Sequence, residues 1–173
     1  MRGTGRRAPY YSIIGLTLLV FVGVGCAQGG PIRSQVLDAQ TGKPVPGAVV
    51  LGVWTKTVGF GFTRTERVGV READVDADGR FTLDRPDGTS SADESITVYK
   101  FGYVAWNNKE VFPTYERRKD TSVPAQILLE LFPPGTSHVR HMNFVDGVTR
   151  GSTPDPTTRS KFQRAIEREN RMN

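Results

Sequence analysis

The 173-residue chain contains one cysteine and two histidines. A lone cysteine excludes an internal disulfide, so the fold must be held by burial and hydrogen bonding. The two histidines, His138 and His141, have no orienting acid beside them in sequence, and no Gly-x-Ser-x-Gly elbow is present, so no hydrolytic nucleophile–base pair can be identified. Long apolar runs are also scarce: Ile13 to Gly25 falls short of the roughly 20 residues that a spanning helix needs. The formal net charge is +5, but Arg2, Arg6 and Arg7 all precede that apolar run. From Cys26 onward 20 basic residues face 18 acidic ones, a balance that does not suit a nucleic-acid partner.

The basic start, the apolar run and the small residues at its end form a signal-peptide layout over 1–25, followed by a tether over 26–31. Gly23-Val24-Gly25-Cys26 resembles a bacterial lipobox. The resemblance implies cleavage before Cys26 and acylation of that residue, which removes a thiol that would be a liability on an exported protein. Two or more acyl chains give durable anchoring. Ala27 stands where an inner-membrane retention signal would carry Asp, so the resemblance implies a cell-envelope protein, lipid-anchored at the outer membrane and facing the periplasm.

From Ile32 to Leu131, short β-branched and aromatic runs alternate with turn chemistry and no helical period is sustained. Strands are expected at Ile32 to Leu37, Ala48 to Thr55, Val68 to Val75, Arg80 to Leu83, Ser95 to Lys100, Tyr103 to Asn107 and Gln126 to Leu131. The fold class is therefore all-β, a sandwich of seven strands. Ile96 with Val98, and Ile127 with Leu129 and Leu131, should face the core; Phe81, Phe101 and Tyr103 belong there too. The order Val36, Asp38, Thr41-Gly42, Pro44, Gly47-Ala48 and Val50, then Asp78-Gly79-Arg80-Phe81, then Phe101-Gly102-Tyr103, resembles the carboxypeptidase regulatory-like domain over 32–131. That family implies a prealbumin-like seven-stranded sandwich acting as a non-catalytic module. The stretches Lys56 to Arg67 and Arg85 to Glu94 are longer than its minimal pattern needs, which makes them loops to inspect for specialisation.

Three constellations suggest chemistry and fall short. Asp74-Val75-Asp76-Ala77-Asp78-Gly79 spaces carboxylates like a calcium loop, but Arg85 occupies the position of the bidentate acid, so a hairpin turn is expected. His138-x-x-His141 lacks a third ligand and follows Pro133-Pro134-Gly135, so both histidines read as solvated loop residues and no metal is assigned. Arg150-Gly151-Ser152 resembles the terminal motif of transthyretin-related hydroxyisourate hydrolases, but it follows Thr149 rather than tyrosine and 21 residues come after it.

The remaining candidates for recognition are aromatic: Trp54, Phe60, Phe62, Trp106 and Tyr115, expected at strand ends or loops as a surface for a glycan or protein partner. The segment 132–173 reads as a polar, irregular extension ending in one α-helix at 160–171, with Phe162, Ala165 and Ile166 on a narrow apolar stripe. These residues predict a non-enzymatic, membrane-anchored interaction or scaffold module that needs no cofactor. The alternative is a carbohydrate- or peptide-binding accessory of an envelope enzyme.

Overall fold

The computed structural model describes residues 29–149 and 160–171. Cys26, the signal-peptide segment and Arg150-Gly151-Ser152 lie outside them. Nine strands and two helices are found among the described residues: β1 (Ile32–Asp38), β2 (Val49–Val58), β3 (Arg64–Asp74), β4 (Arg80–Leu83), β5 (Asp93–Tyr99), β6 (Trp106–Asn107), β7 (Glu110–Val111), β8 (Glu116–Arg117), β9 (Gln126–Leu129), α1 (His138–Val148) and α2 (Lys161–Asn170). A three-stranded sheet in the order β4-β1-β9 faces a four-stranded sheet in the order β3-β2-β5-β6, and β7-β8 forms a small ribbon. The molecule is mostly β.

The two sheets enclose one apolar core built from alternate residues: Val36 from β1, Val50 and Trp54 from β2, Ile96 and Val98 from β5, Phe81 and Leu83 from β4, Ile127 and Leu129 from β9. The intervening residues of the four-stranded sheet are apolar as well. Val49, Leu51, Val53 and Tyr99 form a second core with Met142, Phe144 and Val145 of α1 and Phe162 of α2. The helices thus add a third layer to the expected sandwich. A strand apolar on both faces must be covered on both, because each large side chain returned to water would cost roughly 1.5–3 kcal/mol.

The extension is therefore not irregular throughout. α1 starts at Ser137, whose hydroxyl accepts from the Arg140 amide at 3.3 Å, and it buries His141, Met142, Phe144 and Val145. α2 has a capping box between Ser160 and Gln163, and the Glu72 carboxylate of β3 accepts from the Lys161 and Phe162 amides at 2.9 and 3.1 Å. An anion at a helix N-terminus satisfies otherwise unpaired donors and the helix dipole together, so β3 fixes where α2 begins.

The turns follow the expected chemistry. Asp76 Oδ1 accepts from the Asp78 and Arg80 amides at 3.0 and 2.8 Å, with Gly79 at φ 75°, as a hairpin turn between β3 and β4. Asp38 Oδ1 accepts from the Thr41 amide at 2.7 Å and from its hydroxyl at 2.9 Å, while Tyr103 donates to Oδ2 at 3.0 Å. These bonds, the Thr41 amide first, hold the Asp38 carboxyl below the usual range. The sequence misplaces some details. Leu131 is 44% exposed instead of joining Ile127 and Leu129. Phe101 and Tyr103 are only partly buried, packed at the margins of the two cores. Most of Lys56 to Arg67 is strand, because β2 and β3 continue past the core as a solvated ribbon.

Gly52 marks a tight place in the central sheet: a Cβ there would lie 2.6 Å from the Trp54 ring and 2.8 Å from Leu83. Gly52→Ala should therefore destabilise the fold by about 1–3 kcal/mol through overpacking. Urea unfolding measures this, and an unchanged midpoint would contradict the packing described.

Candidate functional site

A buried group of ionisable side chains lies between the helices and the four-stranded sheet. His138 and His141 sit one turn apart on α1, Glu169 is on the last turn of α2, and Tyr99 ends β5. Both imidazole Nδ1 atoms lie 2.8 Å from Glu169 Oε1, and the Tyr99 hydroxyl donates to Oε2 at 2.8 Å. The Ala105 amide donates to His141 Nε2 at 2.9 Å. That bond reserves the Nε2 lone pair as an acceptor, so His141 is the neutral Nδ1–H tautomer and donates to Glu169. Phe132 stacks on His138 at 4.5 Å, and Phe112 meets His141 edge-on at 5.1 Å.

His141 and Glu169 are 0% and 2% exposed and both histidines lie on α1, which corrects the expectation of solvated loop residues, although the His138 side chain stays 32% exposed. The physical reason is that α1 turns His141 inward, where it bridges two backbone elements. Burial pushes the Glu169 carboxyl up, but hydrogen bonds from His141, His138 and Tyr99 outweigh it and hold the group at about 2. Burial, then the bond to Glu169, pushes the Tyr99 phenol well above its ordinary value.

What can this group do? It is a carboxylate of α2 held by three donors, His138 and His141 from α1 and Tyr99 from β5. The shallow clefts beside Arg33 and Arg80, beside Ser137 and Arg140, and beside Trp106 and Arg118 are not lined by Tyr99, His141 or Glu169. Among the described residues, no three His, Cys, Asp or Glu side chains converge to hold a metal ion. The geometry suits a structural clamp on the two helices.

The five aromatic candidates do not form one surface. Trp54 is 1% exposed in the sandwich core, with Nε1 donating to Glu94 at 2.9 Å, so it is withdrawn from any binding surface. Trp106 is half-buried in β6 beneath the Arg118 guanidinium, 5.3 Å from the ring centroid. Tyr115 packs edge-on against Phe144 at 5.4 Å while staying 42% exposed. Phe60 and Phe62 differ from all of these. They occupy the tip of the β2–β3 hairpin and are 104% and 98% exposed, with no apolar neighbour burying them. They are the candidate functional site. Compared with known proteins, the chain matches no family model, no curated protein and no solved structure.

Glu169 generates a pH prediction. Its folded-state pKa of about 2 lies below the ordinary 4.5, so its stabilisation is complete above the ordinary value and is lost as pH falls from about 4.5 toward 2. Glu169→Gln should lower stability at neutral pH by roughly 2–3 kcal/mol and flatten the acid limb of a stability–pH curve in that window. An acid limb identical to that of the parent chain would refute the clamp. Tyr99→Phe should cost about 1–2 kcal/mol in urea unfolding while leaving the secondary structure unchanged by circular dichroism.

Proposed function

We propose that the chain is a non-enzymatic lipoprotein of a bacterial cell envelope, tethered through Cys26 and serving as an interaction module. The single observation that carries the reading is the exposed Phe60-Gly61-Phe62 tip, since apolar rings held in water at the end of a hairpin mark a contact surface. The lipobox-like Gly23-Val24-Gly25-Cys26 supplies the address, at the outer membrane and facing the periplasm.

The carboxypeptidase regulatory-like assignment, with its prealbumin-like sandwich, belongs to the same proposal. Facing sheets of three and four strands support it, as do turns at Asp38–Gly42, Asp76–Gly79 and Phe101–Tyr103. The carbohydrate- or peptide-binding alternative drew on Trp54, Phe60, Phe62, Trp106 and Tyr115 as one surface; burial of Trp54 and the guanidinium over Trp106 take both tryptophans out of it and argue against the glycan form.

Metabolic labelling with palmitate in a lipoprotein-processing host tests the tether. Label should enter the parent chain and be absent from Cys26→Ser, which should also leave the membrane fraction. A mature chain carrying an unmodified Cys26, or lacking it, would overturn the proposal.

A further inference from the structure

The β2–β3 hairpin is the longest pairing among the described residues, running from Val49↔Asp74 to Val58↔Arg64, with a bulge between Trp54 and Thr55. Beyond Trp54 it has left the sandwich core, and its tip closes through Gly59, whose φ of 110° no ordinary side chain would favour; a Cβ there would lie 2.2 Å from the Phe62 carbonyl oxygen. The backbone is thus built to turn tightly and present Phe60 and Phe62 outward. These rings form a convex projection with no wall around it, which suits an occupant that closes over them.

The position of the chain start supplies the second observation. Arg85 donates to the Gly30 carbonyl and, at 2.8 Å, to Glu94, which also holds the Trp54 indole. Lys56 donates to the Gly88 carbonyl at 2.9 Å, placing the same loop beside the base of the ribbon. Gly30 therefore emerges at the end of the sandwich from which the hairpin projects, opposite the Asp38 and Gly79 turns. From Trp54 to Val58 the ribbon advances roughly 13 Å, at about 3.3 Å per residue. From Gly30 back to Cys26 the chain can extend about 14 Å at most. A surface that holds Cys26 is thus within reach of the hairpin tip.

Charge is the third observation. On the ribbon beyond Trp54, Arg64 beside the tip, Lys56 below it and Arg67 across from Thr55 stand with one carboxylate, Glu66, which is bridged by Arg64; at the base Asp93 is bridged by Lys109 and Glu94 by Arg85, and Asp87 precedes the Gly88 whose carbonyl Lys56 reaches. An excess of cations along the ribbon below exposed rings matches an anionic bilayer surface, where the rings enter the acyl boundary and the cations stay among the headgroups.

We propose that Phe60 and Phe62 insert into the anionic phospholipid surface that carries the Cys26 tether, so that the domain is held at two points. This rests on the lipoprotein reading above. The test uses the full lipidated chain in vesicles of phosphatidylethanolamine and phosphatidylglycerol, with a Phe62→Trp variant and brominated acyl chains as quencher. The variant should show a blue-shifted emission and at least twofold more quenching than the parent chain, whose Trp54 and Trp106 set the baseline; adding Phe60→Ser should reverse most of it. Emission at the fully aqueous position with no quenching beyond the parent would overturn insertion, as would a blue shift produced only by envelope protein extract and not by vesicles. Equal quenching on phosphatidylcholine vesicles would overturn the anionic preference. Palmitate labelling of the same preparations reports the tether independently, so failure of the tether and failure of the hairpin give different results.

Discussion

The structure depends on one constraint: β2 is apolar on both faces. Val50 and Trp54 face the sandwich interior while Val49, Leu51 and Val53 face the other way, and six consecutive residues of this strand are buried. A sheet partner can cover only one of those faces. The second must be covered by something else, and the chain beyond Leu131 supplies it as two helices. Layer number, the path of the extension and the burial of His141 all follow from that pattern.

Apolar cover alone is not oriented, and Glu169 supplies the orientation. A carboxylate buried between layers is unfavourable unless both oxygens accept hydrogen bonds. Here donors from α1 and β5 supply them, and the Ala105 amide locks the His141 tautomer from behind. At the opposite end of α2, Glu72 takes the first amides. The helix is thus pinned at both termini by carboxylates that point in opposite senses, one receiving side-chain donors and the other backbone donors. Among the described residues no buried side-chain nitrogen or oxygen lacks a partner.

The sandwich strands are legible in the sequence because alternation and turn residues act locally: Asp38, Asp76 and Gly79 fix their turns through bonds a few residues away. The third layer is much less so. α1 carries His141, Phe144, Val145 and Val148 at helical spacing behind Ser137, but a histidine counts as polar in any hydrophobic pattern, and Pro134-Gly135 and Gly147 bracket the segment with breaker signals. The role of Glu169 could not be read at all, since its partners lie 28 to 70 residues away. Among the aromatic candidates, residue type was informative and environment was not. Trp54 and Phe60 are six positions apart on one hairpin, and only the point at which the ribbon leaves the core separates a buried indole from a ring in water.

β1 is the middle strand of its sheet, antiparallel to β4 on one side and parallel to β9 on the other. A pull on the chain ahead of Ile32 therefore loads both ladders along their length, in shear, and cannot peel hydrogen bonds off one at a time as it would from an edge strand. Arg85 adds a grip on the Gly30 carbonyl before the first ladder bond is reached. Tension on the chain ahead of Ile32 is therefore shared by both ladders and the Arg85 bond together.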